Sequence, residues 1–152
     1  MTLIELTISI AVIGIAVAGT LAVIQRASRA SADPMVLRQA TAIAEAYLDE
    51  ITAKPFYDPD LGAGAGPCPA PESARPLFDN ACDYNGLDDA GARDQSGAAI
   101  PDLSPYRVRV TVDAAAATLG ALTGANSVER VDVRVTHSLP LDVTLSGYRT
   151  SY

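Results

Sequence analysis

Glu5 is the only ionisable side chain among residues 1–24, and the residues around it are apolar, small or hydroxyl-bearing. A carboxylate inside hydrocarbon costs at least about 2.5 kcal/mol, so it normally has a partner. The stretch contains no Lys, Arg or His, which leaves the α-amine of Met1 or that of a neighbouring copy of the chain. We therefore predict that Glu5 carries the function of this segment by pairing with an amine.

Few other residues have the chemistry of a catalytic centre. One His and two Cys leave little material for a zinc site or a His-based active site. No nucleophile–base pair or phosphate-binding glycine loop stands out, so an enzyme is the least expected class and no cofactor is predicted. The net charge of -7 argues against nucleic-acid binding, because that function needs a basic face.

The apolar N-terminal run is long enough to cross a bilayer, because 24 helical residues cover about 36 Å. A signal peptide is a poor match, since the run exceeds the usual ~7–15 apolar residues and has no basic stretch before it. An ordinary membrane anchor, with Arg26 and Arg29 at one interface, is the alternative. The segment 1–25 is therefore predicted to be an apolar helix.

The motif T-L-I-E-L at positions 2–6, followed by about 18 apolar residues, resembles the mature N-terminus of type IV pilins. The resemblance implies that Met1 takes the place usually held by Phe, after a prepilin peptidase removes a short basic leader and the new N-terminus is methylated. It also implies that Glu5 pairs with the terminal amine of an adjacent subunit during assembly.

Two glycines in the same run, Gly14 and Gly19, have two interpretations. Small residues let apolar helices approach closely. Each glycine also weakens the helix by about 1 kcal/mol relative to Ala, and in assembled pili of this family a stretch near these positions can lose its helical form. Major pilins commonly have Pro near position 22, where this chain has Ala22. Both interpretations are kept as predictions about assembly.

The chain after the apolar run is predicted to continue as an amphipathic helix over 26–54. Its apolar residues recur at spacings of three and four: Val36, Ala40, Ile43, Tyr47 and Ile51. Asp33-Pro34 is either an N-cap with Pro at the first helical position or a kink within one long helix. Lys54-Pro55 marks the expected end of the helix.

Residues 55–105 are predicted to be a loop region, since they hold eight of the ten prolines and show no sustained periodicity. Such a long irregular stretch needs a restraint or a function. Cys68 and Cys82 enclose 13 residues, and a disulfide across them should contribute about 3 kcal/mol. Two free buried thiols are the alternative.

Acidic residues are concentrated in the middle of the chain. Residues 45–102 carry twelve acidic and three basic side chains, a net charge of -9, and this block should lie at the solvated surface. Oxygen donors that could bind calcium are densest from 79 to 89: Asp79, Asp83, Asn85, Asp88 and Asp89. Their spacing does not match an EF-hand, and the same residue types suit metal-free turns.

The segment 106–152 is predicted to form an antiparallel sheet. Three runs alternate apolar and polar residues, centred on Val110, Val133 and Val143. The short connection at 138–140 predicts that the last two strands form a hairpin with Arg and Asp paired across strands on the outer face. The valine face should cover the amphipathic helix, and His137 is predicted to lie at the surface or in a turn.

Several further segments are similar to the D-type minor pilins of mannose-sensitive haemagglutinin pili. They are A-D-P-M at 32–35, A-I-A-E-A-Y-L-D-E-I at 42–51, K-P-F at 54–56, D-Y-N-G at 83–86, V-T-H-S at 135–138 and L-S-G-Y-R-T-S-Y at 145–152. The resemblance covers most of the chain. It implies an α+β fold, the type IV pilin fold, with a long N-terminal helix packed on a small antiparallel sheet of three or more strands.

The expected function is that of a structural subunit of a type IV pilus or related filament. Its partners would be other copies or other pilins, the prepilin peptidase and the pilus assembly machinery. It would lie in the bacterial inner membrane before assembly and in an extracellular pilus afterwards. A type II secretion pseudopilin and a pilus-tip adhesion or binding subunit are the alternatives.

Overall fold

A computed structural model describes residues 2–115, 117–123 and 127–151, without the side chains of residues 25–33. The chain divides into two compact units, Met1–Arg38 and Gln39–Tyr152. Helix α1 spans Leu3–Thr52, and Pro34 lies inside it. The backbone is therefore one helix through Asp33-Pro34, and the alternative of a separate helix that starts there is wrong. The helix ends just before Lys54-Pro55, as predicted.

The described residues of the second unit form six strands. They are β1 (Asp88–Ala90), β2 (Tyr106–Asp113), β3 (Thr118–Leu119), β4 (Leu122–Thr123), β5 (Val128–His137) and β6 (Leu141–Thr150). Strands β1, β2, β5 and β6 form an antiparallel sheet in the order β1-β2-β5-β6, and β3 pairs with β4 separately. The three predicted strands and the final hairpin are confirmed, and the molecule is α+β, consistent with the type IV pilin fold.

Alternation of valine with charged residues decides which face of the sheet is buried. In β2 every second residue from Tyr106 to Val112 is buried, and the residues between them are exposed. The register places Val108 opposite Val135 and Val110 opposite Val133, so the valines of neighbouring strands pack on one face. On the other face, Arg107 pairs with Asp88 of β1 and Arg134 pairs with Asp142 of β6, as predicted.

The C-terminal part of α1 belongs to the second unit and, together with the valine face of the sheet, forms the core of that unit. Its buried residues lie on one face: Ala40, Ile43, Ala44, Tyr47 and Ile51. The backbone of β6 comes close to this helix at Gly147, where an added Cβ would lie 2.9 Å from Leu48 Cδ1. A side chain at position 147 would therefore require the Leu48 side chain to move.

The segment 55–105 contains more regular structure than the sequence indicated. It forms strand β1 and three short 3-10 turns, Ala63–Ala65, Arg75–Leu77 and Ala81–Tyr84. The prediction of a loop throughout was therefore wrong at β1. Asp and Ala are poor strand formers, and these three residues become a strand because β2 offers its edge to them.

Candidate functional site

The span Leu3–Ile24 is the one helical stretch in the described chain that is long and apolar enough to cross a membrane. Every residue from 2 to 24 is exposed in the single chain, including eleven large aliphatic side chains from Leu3 to Val23 and that of Ile24. Length and composition are weak support for a membrane span. They agree with the predicted N-terminal anchor and do not test the pilus stage.

Glu5 lies in the first turn of α1, where its described polar contacts are local. Its backbone N–H donates to Thr2 Oγ1 and the Thr2 N–H donates to Glu5 Oε2, both at 3.4 Å. Reciprocal bonds of this kind satisfy orphan donors at a helix start. Met1 lies outside the described residues, so the pairing of Glu5 with an amine stays a prediction.

Gly14 and Gly19 have no neighbours that explain them within the single chain. An added Cβ at either position would meet nothing within 4 Å, and both residues are helical. Close packing and local melting both concern contacts with other molecules. Neither interpretation is tested by a single chain.

Cys68 and Cys82 form a disulfide, as predicted, with their Cα atoms 5.2 Å apart. A capping box holds the 3-10 turn that carries Cys82. Asn80 Oδ1 accepts bonds from the N–H groups of Cys82 and Asp83, at 2.7 and 3.2 Å. In return Asp83 Oδ2 accepts from the Asn80 N–H at 3.0 Å. The capping box thus fixes the backbone of the turn, and with it the position of the buried Cys82 sulfur.

Glu129 of β5 packs against this disulfide and is 0% exposed. Its Oε1 lies 3.5 Å from Cys82 Sγ, and in the described part of the chain its Oε2 is buried without a hydrogen-bond partner. Burial raises the pKa of this carboxyl to about 7, and the positive charge of Arg149 opposes the rise. Glu129 therefore holds a proton more tightly than an ordinary glutamate.

A second buried charged group, Arg75, has acidic and aromatic partners around its two terminal nitrogens. Its Nη1 donates to Asp89 Oδ2 at 2.6 Å, and its Nη2 lies 3.3 Å from Glu50 Oε2. The guanidinium carbon is 4.7 Å from the centre of the Tyr47 ring and 5.8 Å from that of Tyr84. The arginine thus joins a 3-10 turn, helix α1 and strand β1.

The two tyrosines add hydrogen bonds to this cluster, in which Arg75 Nε is buried without a hydrogen-bond partner among the described residues. The Tyr84 hydroxyl donates to Glu50 Oε1 at 2.7 Å, and the Tyr47 hydroxyl donates to Asp89 Oδ2 at 2.9 Å. Burial raises the pKa of both phenols, and the Glu50 carboxylate raises that of Tyr84 further. Both hydroxyls therefore stay protonated donors, and the cluster is suited to holding the fold together rather than to proton transfer.

Three carboxylates from separate segments meet at another point. One oxygen each from Asp58, Glu72 and Asp79 lies within 4.8 Å of the others. Glu72 Oε2 and Asp79 Oδ1 are buried without hydrogen-bond partners in the described residues. A hydrogen bond with Asp83, together with burial, raises the pKa of Glu72 to about 7. Oxygen ligands in this number suit a hard divalent cation or a shared proton.

The structure does not bring the five predicted calcium ligands together. Asp88 pairs with Arg107 and Arg109 on the exposed face of the sheet, and the Arg107 bond helps lower its pKa to about 2. Asp89 binds Arg75 instead. Asn85 Oδ1 accepts from the Val112 N–H at 3.0 Å. Asp79 joins the carboxylate group described above, and Asp83 contacts Glu72 of the same group. The five predicted ligands are thus divided among separate partners, and the predicted calcium grouping is wrong.

An apolar groove of about 470 Å³ lies between α1 and the segment 92–103. Ala42, Ala46, Ile100 and Leu103 line it, and Glu50 and Arg93 stand at its polar side. A pilus-tip adhesion or binding subunit, one of the alternatives above, could hold a ligand in such a groove. Nothing in its lining specifies a ligand class.

Sequence reasoning missed Glu129, Arg75 and Glu72. Glu129 gave a usable signal, because it occupies the position that precedes Val131 and Val133 in the alternation and thus points inward. Glu72 lies in an irregular segment and Arg75 begins a short 3-10 turn, and in neither place does a periodicity predict burial. The hydrogen-bond partners of Arg75 are 14 to 28 residues away in the sequence, and no local pattern connects them with it.

A long apolar N-terminal helix, a small antiparallel sheet and a disulfide together fit a type IV pilin-like architecture. Comparisons of the chain with models of known families, with curated proteins and with solved structures find no match.

Proposed function

We propose that this protein is a structural subunit of a type IV pilus or a related extracellular filament. The observation that carries the proposal is the span Leu3–Ile24, which is apolar, fully exposed in the single chain and interrupted by one carboxylate. Large exposed apolar surfaces mark sites of interaction with membranes or other proteins. In this proposal lipid covers the span before assembly, and the helices of neighbouring subunits cover it afterwards.

Glu5 would define the register of the assembly. Burial among apolar helices replaces burial in lipid, so hydrophobicity by itself favours neither state strongly. A subunit inserted at the wrong height would leave the Glu5 carboxylate buried and unpaired, which costs about 3–5 kcal/mol. At the correct height it would meet the α-amine of a neighbouring subunit, with Met1 as the processed N-terminus produced by a prepilin peptidase.

The glycines of the span are consistent with this role. Gly14 and Gly19 leave open space on the helix surface, and neighbouring helices can use that space to approach closely. The similarity to D-type minor pilins favours a minor subunit. The inner membrane before assembly and the pilus afterwards are the corresponding locations.

Incorporation into filaments tests the proposal. We expect Glu5→Ala to lower the amount of the protein in purified filaments by at least about tenfold, because a cost of 1.4 kcal/mol already gives that factor. The matched control is Glu45→Gln, which removes an exposed carboxylate from α1 outside the span. It should incorporate normally. Equal incorporation of the Glu5→Ala and native chains would contradict the proposal.

A further inference from the structure

Glu129 occupies a position where the sheet would otherwise continue its buried valine stripe. Its Oε1 lies 3.5 Å from Cys82 Sγ and 4.0 Å from Cys68 Sγ. The sulfurs of a disulfide carry no proton to donate, and Oε2 has no hydrogen-bond partner among the described residues. An ionised carboxylate without a donor is costly to bury, whereas the protonated form is tolerated.

The two sulfur-bearing residues differ in their access to solvent. Cys68 is exposed, whereas Cys82 is 3% exposed and held in the capped 3-10 turn. An external thiolate can therefore approach the Cys68 side of the bond. When the bond breaks, the electron pair goes to the buried sulfur of Cys82, where an unprotonated thiolate would be disfavoured.

We propose that Cys68 and Cys82 form a thiol–disulfide exchange site, with Cys68 as the entry sulfur and Glu129 as the proton donor and acceptor for Cys82. This inference is independent of the proposed filament function.

The reducing direction consumes two external thiols. The first, as a thiolate, attacks Cys68 Sγ and forms a mixed disulfide, the bond between the cysteines breaks, and the protonated Glu129 carboxyl gives its proton to the Cys82 thiolate. A second thiolate then attacks the external sulfur and releases the Cys68 thiolate together with the oxidised external disulfide. Two electrons pass from the external thiols to the pair.

The oxidising direction is the reverse. A Cys68 thiolate attacks an external disulfide, Glu129 as carboxylate takes the proton of the Cys82 thiol, and the new thiolate attacks Cys68 to expel the external thiolate. Formation of the native bond would thus be assisted by a base that is in place only when β5 has joined the turn carrying Cys82.

The charged groups near Glu129 are Arg149 on the neighbouring strand and Asp83 in the turn that carries Cys82. Arg149 of β6 is its partner in the strand register, and a guanidinium stays charged over the whole working range. Arg149 Nε donates to the Lys54 carbonyl rather than to Glu129. On the turn side, Asp83 accepts the bonds of the capping box. No Glu129 ion pair forms within the described residues.

Reduction kinetics of the full chain in detergent micelles test the proposal. The reductant is 2-mercaptoethanol, and the rate of disulfide reduction is measured at each pH. Each rate is divided by the concentration of 2-mercaptoethanol thiolate, because that concentration itself rises with pH. For the native chain the normalised rate should fall by about tenfold or more from pH 6 to pH 9 as Glu129 loses its proton. For Glu129→Gln it should vary less than about threefold, so that the variant is slower than native at pH 6 and faster at pH 9.

The matched control is Glu45→Gln, which should follow the native profile. A Glu129→Gln profile identical to the native one would overturn the proposal. A second measurement needs no variant: the mixed disulfide is trapped by acid in the native chain and located by mass spectrometry. The adduct is expected on Cys68, and an adduct on Cys82 would equally overturn the proposal.

Discussion

The apolar span Leu3–Ile24 and the core of the second unit accommodate charge in opposite ways. In the second unit the buried Arg75 is surrounded by Glu50, Asp89 and two tyrosines of the same chain. Among the described residues of the span, the Glu5 carboxylate contacts only the nearby Thr2 N–H. The charges of the core thus stabilise the fold of the chain itself, whereas the described contact of the Glu5 carboxylate is limited to the first turn. In the proposed filament Glu5 would pair with another molecule.

Removal of the central cation should give the largest effect on the second unit. Arg75→Ala leaves Glu50 buried without its counterion and leaves Asp89 with only the more distant Arg93, and we expect a loss of about 3–5 kcal/mol in the free energy of unfolding. Urea unfolding of the full chain in detergent, followed by near-ultraviolet circular dichroism, measures it. Arg107→Ala removes an exposed arginine that also pairs with an aspartate, and it should have a much smaller effect. Similar losses in the two variants would show that the burial of Arg75 does not determine its contribution to the free energy of unfolding.

Loss of the disulfide should follow closely in size. Replacing both Cys68 and Cys82 by Ser frees a loop of 13 residues in the unfolded chain, and we expect a loss of about 3 kcal/mol. The same unfolding measurement applies, with the reduced native chain as a comparison. An unchanged midpoint would mean that the loop is held by its other contacts.

Glu129 should make the second unit less stable as pH rises. Its carboxyl binds a proton more tightly in the folded chain than in the unfolded chain, so stability falls from pH 4.5 to about 7. Glu129→Gln should remove this slope and stabilise the protein at pH 8 by up to about 3 kcal/mol.

Unfolding at pH 4 and at pH 8 measures this effect. Glu72 has a pKa raised to about 7 as well, so the native chain contains both contributions, and the difference between native and variant isolates that of Glu129. A variant less stable than native at both pH values would contradict the prediction and indicate a packing role.

The close approach of β6 to α1 should give a smaller effect. Gly147→Ala places a Cβ against Leu48, and we expect a loss of about 1–3 kcal/mol from overpacking. The double variant Gly147→Ala with Leu48→Ala relieves the clash and should recover part of the loss relative to Leu48→Ala alone. The thermal midpoint of each variant provides the measurement, and additive losses in the double variant would argue against a direct contact.

The smallest effect on the stability of the second unit is expected from a change at Glu5, because this residue lies in the apolar span. Glu5→Gln should leave the unfolding transition of the second unit unchanged, because none of the described contacts of Glu5 involves that unit. The same chain should be depleted from filaments. A shifted unfolding midpoint would mean that the residue serves the fold of the chain as well.

Much of the fold was predictable because the residues themselves alternate. Valine at every second position specified β2, β5 and the inward face of the sheet, and apolar residues at spacings of three and four specified the buried face of α1. Strand β1 could not be predicted, since Asp88–Ala90 form a strand only where β2 supplies hydrogen-bonding partners.

The candidate sites were predictable to a smaller extent. Glu5 stands out from its neighbours by charge alone, and two cysteines in a chain of this size form one possible pair. The acidic segment 79–89 did not reveal its partners, because Asp88 and Asp89 have the composition of a cation site and their actual partners are arginines. Local composition does not show which distant side chain will neutralise a carboxylate.

The order of residues was enough to specify the apolar span with its single carboxylate, the helix that follows and the alternating strands, because these depend on neighbours within a few residues. The partners of the buried charges, in contrast, are set by the tertiary fold. It placed Arg75 between Glu50 and Asp89, grouped Asp58 with Glu72 and Asp79, and set Glu129 against the disulfide. Whether a buried charge is paired depends on segments that meet through folding, and that encounter decides which carboxyl keeps its proton.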